Sequence, residues 1–117
     1  MTQTLRDLTR GGRDLAAAHL ARRGYTILAR DAQTRHGALD IVAAHDDAVV
    51  FVSVATIRAR QAAPPIDTQQ MRRRAVDWLA SSPRPRASDI RFLALTVVVD
   101  AQGRLVRLDH PEPAEGE

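Results

Sequence analysis

The chain contains no lysine and no cysteine, and the first glutamate in its 117 residues is Glu112. Without cysteine, disulfides and thiolate metal sites are excluded, and the redox compartment stays undetermined. Without lysine, and with glutamate confined to positions 112, 115 and 117, no carboxylate–carboxylate–lysine phosphodiesterase site can form, whatever the fold. Aromatic residues make up only 3% of the chain, so few side chains could stack on a base. No apolar leader opens the sequence, and every apolar run is far shorter than the about 20 residues that span a bilayer. A cytoplasmic location with no membrane partner is therefore expected. Neither a glycine-rich phosphate loop nor a Ser-His-Asp arrangement is visible.

All 17 cationic residues are arginine, and the 14 acidic ones are 11 aspartates plus the three glutamates of the tail. Residues 1–111 thus set 17 Arg against 11 Asp, a net +6 with histidine neutral. That balance suits a polyanionic partner, DNA or another structured nucleic acid among them. The apolar content of 44% is enough for one core. We read residues 1–110 as a single α/β domain and 111–117 as an acidic, disordered tail.

Periodicity gives the element order. Leu8, Leu15, Ala16, His19 and Leu20 form an apolar stripe that predicts a helix over residues 4–23, capped by Gly24, with Gly11-Gly12 fraying its start. On that stripe His19 reads as a half-buried packing residue. Tyr25–Arg30 reads as a short strand. Gly37–Ala44 and Ala48–Thr56 read as an antiparallel hairpin turning at His45-Asp46-Asp47. The nearly unbroken apolar run from Val49 to Val54 fits a strand covered on both faces. After a loop over 58–65, a second helix runs from about Asp67 to Ser81, capped by Asp67 or Thr68, with Met71, Ala75, Trp78 and Leu79 inward. Pro83–Arg86 reads as a linker, and Ile90–Val99 and Arg104–Leu108 as strands about an Asp-Ala-Gln-Gly turn. The resulting order, α-β-β-β-α-β-β, is a mixed β-sheet flanked by helices.

Two stretches carry a family resemblance: Gly12-(x)2-Leu15-Ala16-Ala17-(x)2-Leu20-(x)3-Gly24-Tyr25 and Arg35-His36-Gly37-(x)2-Asp40-(x)2-Ala43. With Phe51-Val52-(x)-Val54-(x)-Thr56 after them, the chain resembles the YraN-like family of predicted endonucleases over about residues 11–108. The resemblance implies a restriction-endonuclease-like domain related to Holliday junction resolvases. It also implies a site of acidic residues and a lysine holding Mg²⁺ or Mn²⁺, in which the metal activates water and the lysine supplies a cation.

Against that pattern most of the implied site is missing. Arg13 stands where the family carries an acidic residue on the first helix. Gly-Glu-(Ile/Leu)-Asp is here Gly37-Ala38-Leu39-Asp40, and Val-Glu-Val-Lys is Val52-Ser53-Val54-Ala55. A family lysine near the second helix falls at Asp67, and Arg-Phe-Asp is Arg91-Phe92-Leu93. Asp40 alone remains, beside the lost positions Arg13, Ala38, Ser53 and Ala55. On strand alternation Ser53 and Ala55 share a face, which we expect to meet Asp40. No cofactor is expected unless residual nuclease activity retains Mg or Mn; Asp40 and His36 are the only weak metal candidates.

The arginines are what the sequence offers instead. Arg30, Arg35, Arg58 and Arg60 are expected around the mouth of the former site, and Arg72, Arg73 and Arg74 on the solvent side of the second helix. Arginine pairs bidentately with phosphate, so the chain can bind a nucleic-acid backbone without cutting it. Two alternatives stand beside this reading. One is a non-catalytic partner of a nuclease or other protein, or a homodimer. The other is a metal-dependent endonuclease rebuilt around Asp40 with His36 or Asp14.

Overall fold

The computed structural model describes residues 5–62, 65, 67–82, 89–111 and 114–115. The expected mixed α/β architecture is present: α1 (Leu5–Arg22), β1 (Thr26–Thr34), β2 (Gly37–His45), β3 (Ala48–Arg58), α2 (Thr68–Ser81), β4 (Asp89–Val99), β5 (Leu105–Asp109) and β6 (Ala114–Glu115). The strands lie in the order β1-β2-β3-β4-β5, with β6 also paired to β4. Only β3 and β4 run parallel; the other pairs are antiparallel. A parallel pair needs a crossover, and α2 supplies it. Among the described residues no helix is long and apolar enough to cross a membrane.

Two helices on opposite faces explain the apolar run in β3. Toward α1, the core gathers Ala16 and Leu20 with Ile41, Val50, Val52 and Leu95. Toward α2, it gathers Leu39, Val42, Phe51 and Phe92 with Met71 and Ala75. Val49 to Val52 are at most 1% exposed, so successive side chains feed alternate cores.

Helix ends follow their local chemistry. Gly24 takes φ +89, and the amides of Tyr25 and Gly24 donate to the carbonyls of Leu20 and Ala21, a Schellman cap. Asp67, rather than Thr68, caps α2: its Oδ1 accepts the Gln70 amide at 3.0 Å. At the β4–β5 turn, Asp100 Oδ1 accepts the amides of Gln102 and Arg104, both at 2.9 Å.

Three expectations need correction. The Gly11-Gly12 pair does not divide α1, which runs unbroken because Gly12 packs against Thr56 of β3 and tertiary contact overrides propensity. β1 continues four residues beyond Arg30, with a register irregularity between Ile27 and Ala29 and Asp31 in a left-handed conformation at φ 49. Of the tail assigned to disorder, Ala114–Glu115 pair with Phe92 and Arg91, extending the sheet beside β5. The linker expected at 83–86 lies outside the described residues.

The two adjacent glycines of α1 should respond oppositely to alanine. A Cβ on Gly12 would stand 1.9 Å from Thr56 Oγ1, whereas one on Gly11 meets nothing within 4 Å. We expect Gly12→Ala to cost about 1–3 kcal/mol by overpacking and Gly11→Ala to gain about 0.5–1 kcal/mol from helix entropy. Urea midpoints of the two variants check this; equal shifts would show that the α1–β3 contact yields without cost.

Candidate functional site

The β2–β3 ladder runs from His45↔Ala48 to Ile41↔Val52, and Asp40 is the next residue outward. Its carboxylate closes the seam there: Oδ2 accepts the Val54 amide at 2.8 Å, and Oδ1 lies 3.8 Å from Arg13 Nη1. The same guanidinium nitrogen is 3.2 Å from Asp31 Oδ1 on β1. Arg13 and Asp40 are only about a quarter exposed at the side chain, so this pair is less screened than a surface one. Burial raises the Asp40 pKa above the ordinary carboxylate value, and Asp31 adds to the rise. The Val54 hydrogen bond and the charges of Arg13 and Arg74 oppose it.

This donor set does not fit a catalytic Mg²⁺ or Mn²⁺. Both oxygens of Asp40 face other partners, and the cation beside it is a fixed guanidinium carried by α1. Ala38 and Ala55 bring no ligand atom, and Ser53 brings one hydroxyl. Phe51 lies in the α2-side core and Val50 and Val52 in the α1-side core, so alternation turns Ser53 and Ala55 toward the α2 side. The expected shared face with Asp40 is thus replaced by a carboxylate held in the seam.

Nor does the structure bring a rebuilt site together. His36 Nδ1 sits 2.6 Å from Asp77 Oδ2 on α2, and Asp14 is bonded to Arg30. Among the described residues, no group of three or more His, Cys, Asp or Glu side chains could hold a metal ion.

The arginines expected at one mouth are tied to separate elements. Arg30 bonds Asp14 of α1, and Arg58 Nη1 donates to the Ala101 carbonyl at 3.3 Å beside β5. Arg60 is exposed in the turn after β3 with φ 78. Arg35, at the β1–β2 turn, lines a cleft against α2. Arg72 and Arg73 do face solvent and border a hollow with His36, Gln69, Val76 and Asp77. Arg74 does not share their exposed surface. It is half-buried, and its Nε and Nη1 donate to the carbonyls of His36 and Ala38, each at 3.0 Å. That clamp fastens the hairpin turn to α2, and Gly37 is required beneath it: at φ +122, an added Cβ would lie 2.7 Å from the Arg74 guanidinium.

Two groupings escape sequence reasoning. Asp77 and the half-buried Trp78 wall the cleft beside Arg35, although Trp78 reads as an ordinary core residue in the helical stripe. Three of the four histidines also gather round Tyr25. His19 Nε2 is 2.8 Å from His110 Nδ1, and Tyr25 stacks on His45 with centroids 4.1 Å apart. Burial, then His110, Arg23 and Arg22, lower the His19 pKa. No local motif signals either grouping, because each joins residues far apart in the chain.

The raised Asp40 pKa fixes a pH dependence. Between the unfolded value of about 3.9 and the higher folded value, the folded state binds more protons. This group's contribution is therefore full below the unfolded pKa and lost as pH rises through the folded one. We expect wild-type stability relative to Asp40→Asn to fall as pH rises from the unfolded value of about 3.9 through the higher folded one, and to fall further in Arg13→Gln relative to the matching double variant. Urea denaturation across that range measures it, and a flat difference would contradict the burial of this carboxylate.

Comparison with known proteins agrees with the motifs in the chain. The profile of the uncharacterised protein family UPF0102 matches residues 12–99. A UPF0102 protein of Parafrankia sp. is 42% identical over 115 residues, covering 88% of this chain and 91% of that relative. One of Syntrophomonas wolfei is 36% identical over 101 residues, with 81% and 87% covered. One of Magnetococcus marinus is 38% identical over 99 residues, with 77% of each covered. The chain belongs to the uncharacterised protein family UPF0102, the YraN-like group.

Proposed function

We propose that this chain is a non-hydrolytic nucleic-acid-binding domain that holds a phosphate backbone through Arg35, Arg72 and Arg73. The observation that carries the reading is the company of Asp40. The one carboxylate left from the implied site is shared between the Val54 amide and the Arg13 guanidinium. A metal-dependent hydrolase needs that oxygen for its ion and a second acidic ligand beside it. The positively charged domain surface then acts without the cutting step. Arg35, Arg72 and Arg73 are exposed, and all three adjoin the His36–Asp77 pair: Arg35 precedes His36, and the other two border the hollow that His36 and Asp77 line. Such contacts give affinity and register without reading sequence.

A second reading, a protein-interaction domain, is favoured by β5. This strand has no neighbour on its outer side among the described residues, and it exposes 48% of Leu105 and 53% of Val106. Apolar side chains on a sheet edge are where strands of other chains add.

One experiment separates the two. Labelled duplex DNA is titrated by fluorescence anisotropy at several salt concentrations, with and without Mn²⁺, and the products are run on a denaturing gel. We expect intact DNA and an affinity that falls steeply with salt. In the double variant Arg72→Ala/Arg73→Ala the log–log slope should shrink by about 2, roughly 0.9 per lost phosphate contact. Mn²⁺-dependent cleavage that disappears in Asp40→Ala would overturn the proposal. Absence of salt-sensitive binding would shift the weight to the β5 surface.

A further inference from the structure

Beside the exposed arginines, β1, the β1–β2 turn and α2 border an open cleft of about 540 Å³, lined by Gln33, Thr34, Arg35, Asp77, Trp78 and Ser81 among others. Its size lies within the about 300–1,000 Å³ typical of ligand sites. We infer that this cleft receives a single unpaired nucleobase from a bound strand, stacked on Trp78. The inference rests on the backbone-binding reading given above and names the kind of strand that reading would favour.

Charge arrangement distinguishes a base from a phosphate as the occupant. Asp77, an anion paired with His36, lines the cleft and disfavours a phosphate group there. Cations stand around it: Arg35 on the cleft, and Arg73 one helical turn before Asp77 in the adjoining hollow. A nucleotide reverses that pattern, with an uncharged base inside and anionic phosphates outside. Asp77 can accept from an exocyclic amino group, and the Gln33 amide both donates and accepts.

The cleft is also held in shape. Trp78 packs edge-on to Phe51, with centroids 5.9 Å apart and planes at 80°. His36 Nδ1 fixes the Asp77 carboxylate at 2.6 Å, and Ser81 Oγ donates to the Asp77 carbonyl at 2.7 Å. Thr34 Oγ1 donates to the Gly37 carbonyl and accepts the His36 amide. Arg74 then ties the turn bearing Arg35 to the helix bearing Trp78. A base entering here therefore meets an ordered wall, and a duplex base would first have to leave its stack.

Trp78 is the only tryptophan in the chain, so its emission reports on this cleft alone. The full-length protein is titrated with four DNA probes of one sequence: a duplex, a duplex with one bulged base, a duplex with an abasic bulge, and a single strand. We expect the bulged base and the single strand to quench Trp78 and to bind about tenfold tighter than the duplex, as a stacked base does. The abasic bulge should behave like the duplex. In Trp78→Leu, followed by anisotropy, the preference should vanish while duplex binding persists. Equal affinities with unchanged emission, or equal quenching by the abasic probe, would overturn the cleft assignment and leave backbone binding intact. Failure of all four probes to bind would remove the underlying reading as well.

Discussion

β3 must be covered from both sides, and the rest of the fold answers to that requirement. Its apolar stretch from Val49 to Val52 leaves no face that water could touch. One helix cannot satisfy both faces, so α1 lies on one and α2 on the other. Placing α2 across the second face is also what lets β4 run parallel to β3. The close approach of Gly12 to Thr56 and the packing of Met71 and Ala75 over Phe51 are local results of the same demand.

Where this shared burial ends, the chemistry begins. β2 leaves β3 after Ile41, and the first side chain in the opening is a carboxylate. A half-buried charge needs partners, and the chain supplies a main-chain amide from β3 and a guanidinium from α1. On the other side of the sheet a second arginine, Arg74, holds main-chain carbonyls of the β1–β2 turn. Two arginines of similar burial thus act differently, one neutralising a side chain and the other joining a hairpin to a helix.

Much of the fold was legible because it is written locally. The period of α1 and α2, the alternation of β2, the Asp46-Asp47 turn and the Gly24 cap are each set by neighbours in sequence. The missing glutamate and lysine were equally plain, since an absent residue type needs no structure to be counted. What could not be read depends on contacts between distant segments. Gly11-Gly12 looks like a helix breaker until Thr56 is placed against it. Arg72, Arg73 and Arg74 look alike until the hairpin turn arrives beside only the last of them. His36 looks available to Asp40, four residues on, until Asp77 comes from 41 residues away.

The Arg13–Asp40 pair has a consequence for how this sequence can change. Removing Arg13 alone strands a half-buried anion, and removing Asp40 alone leaves the Val54 amide without its acceptor and Arg13 with Asp31 only. Each single substitution of the pair therefore passes through a less favourable intermediate. The two positions are thus coupled, and a tolerated change at one calls for a matching change at the other.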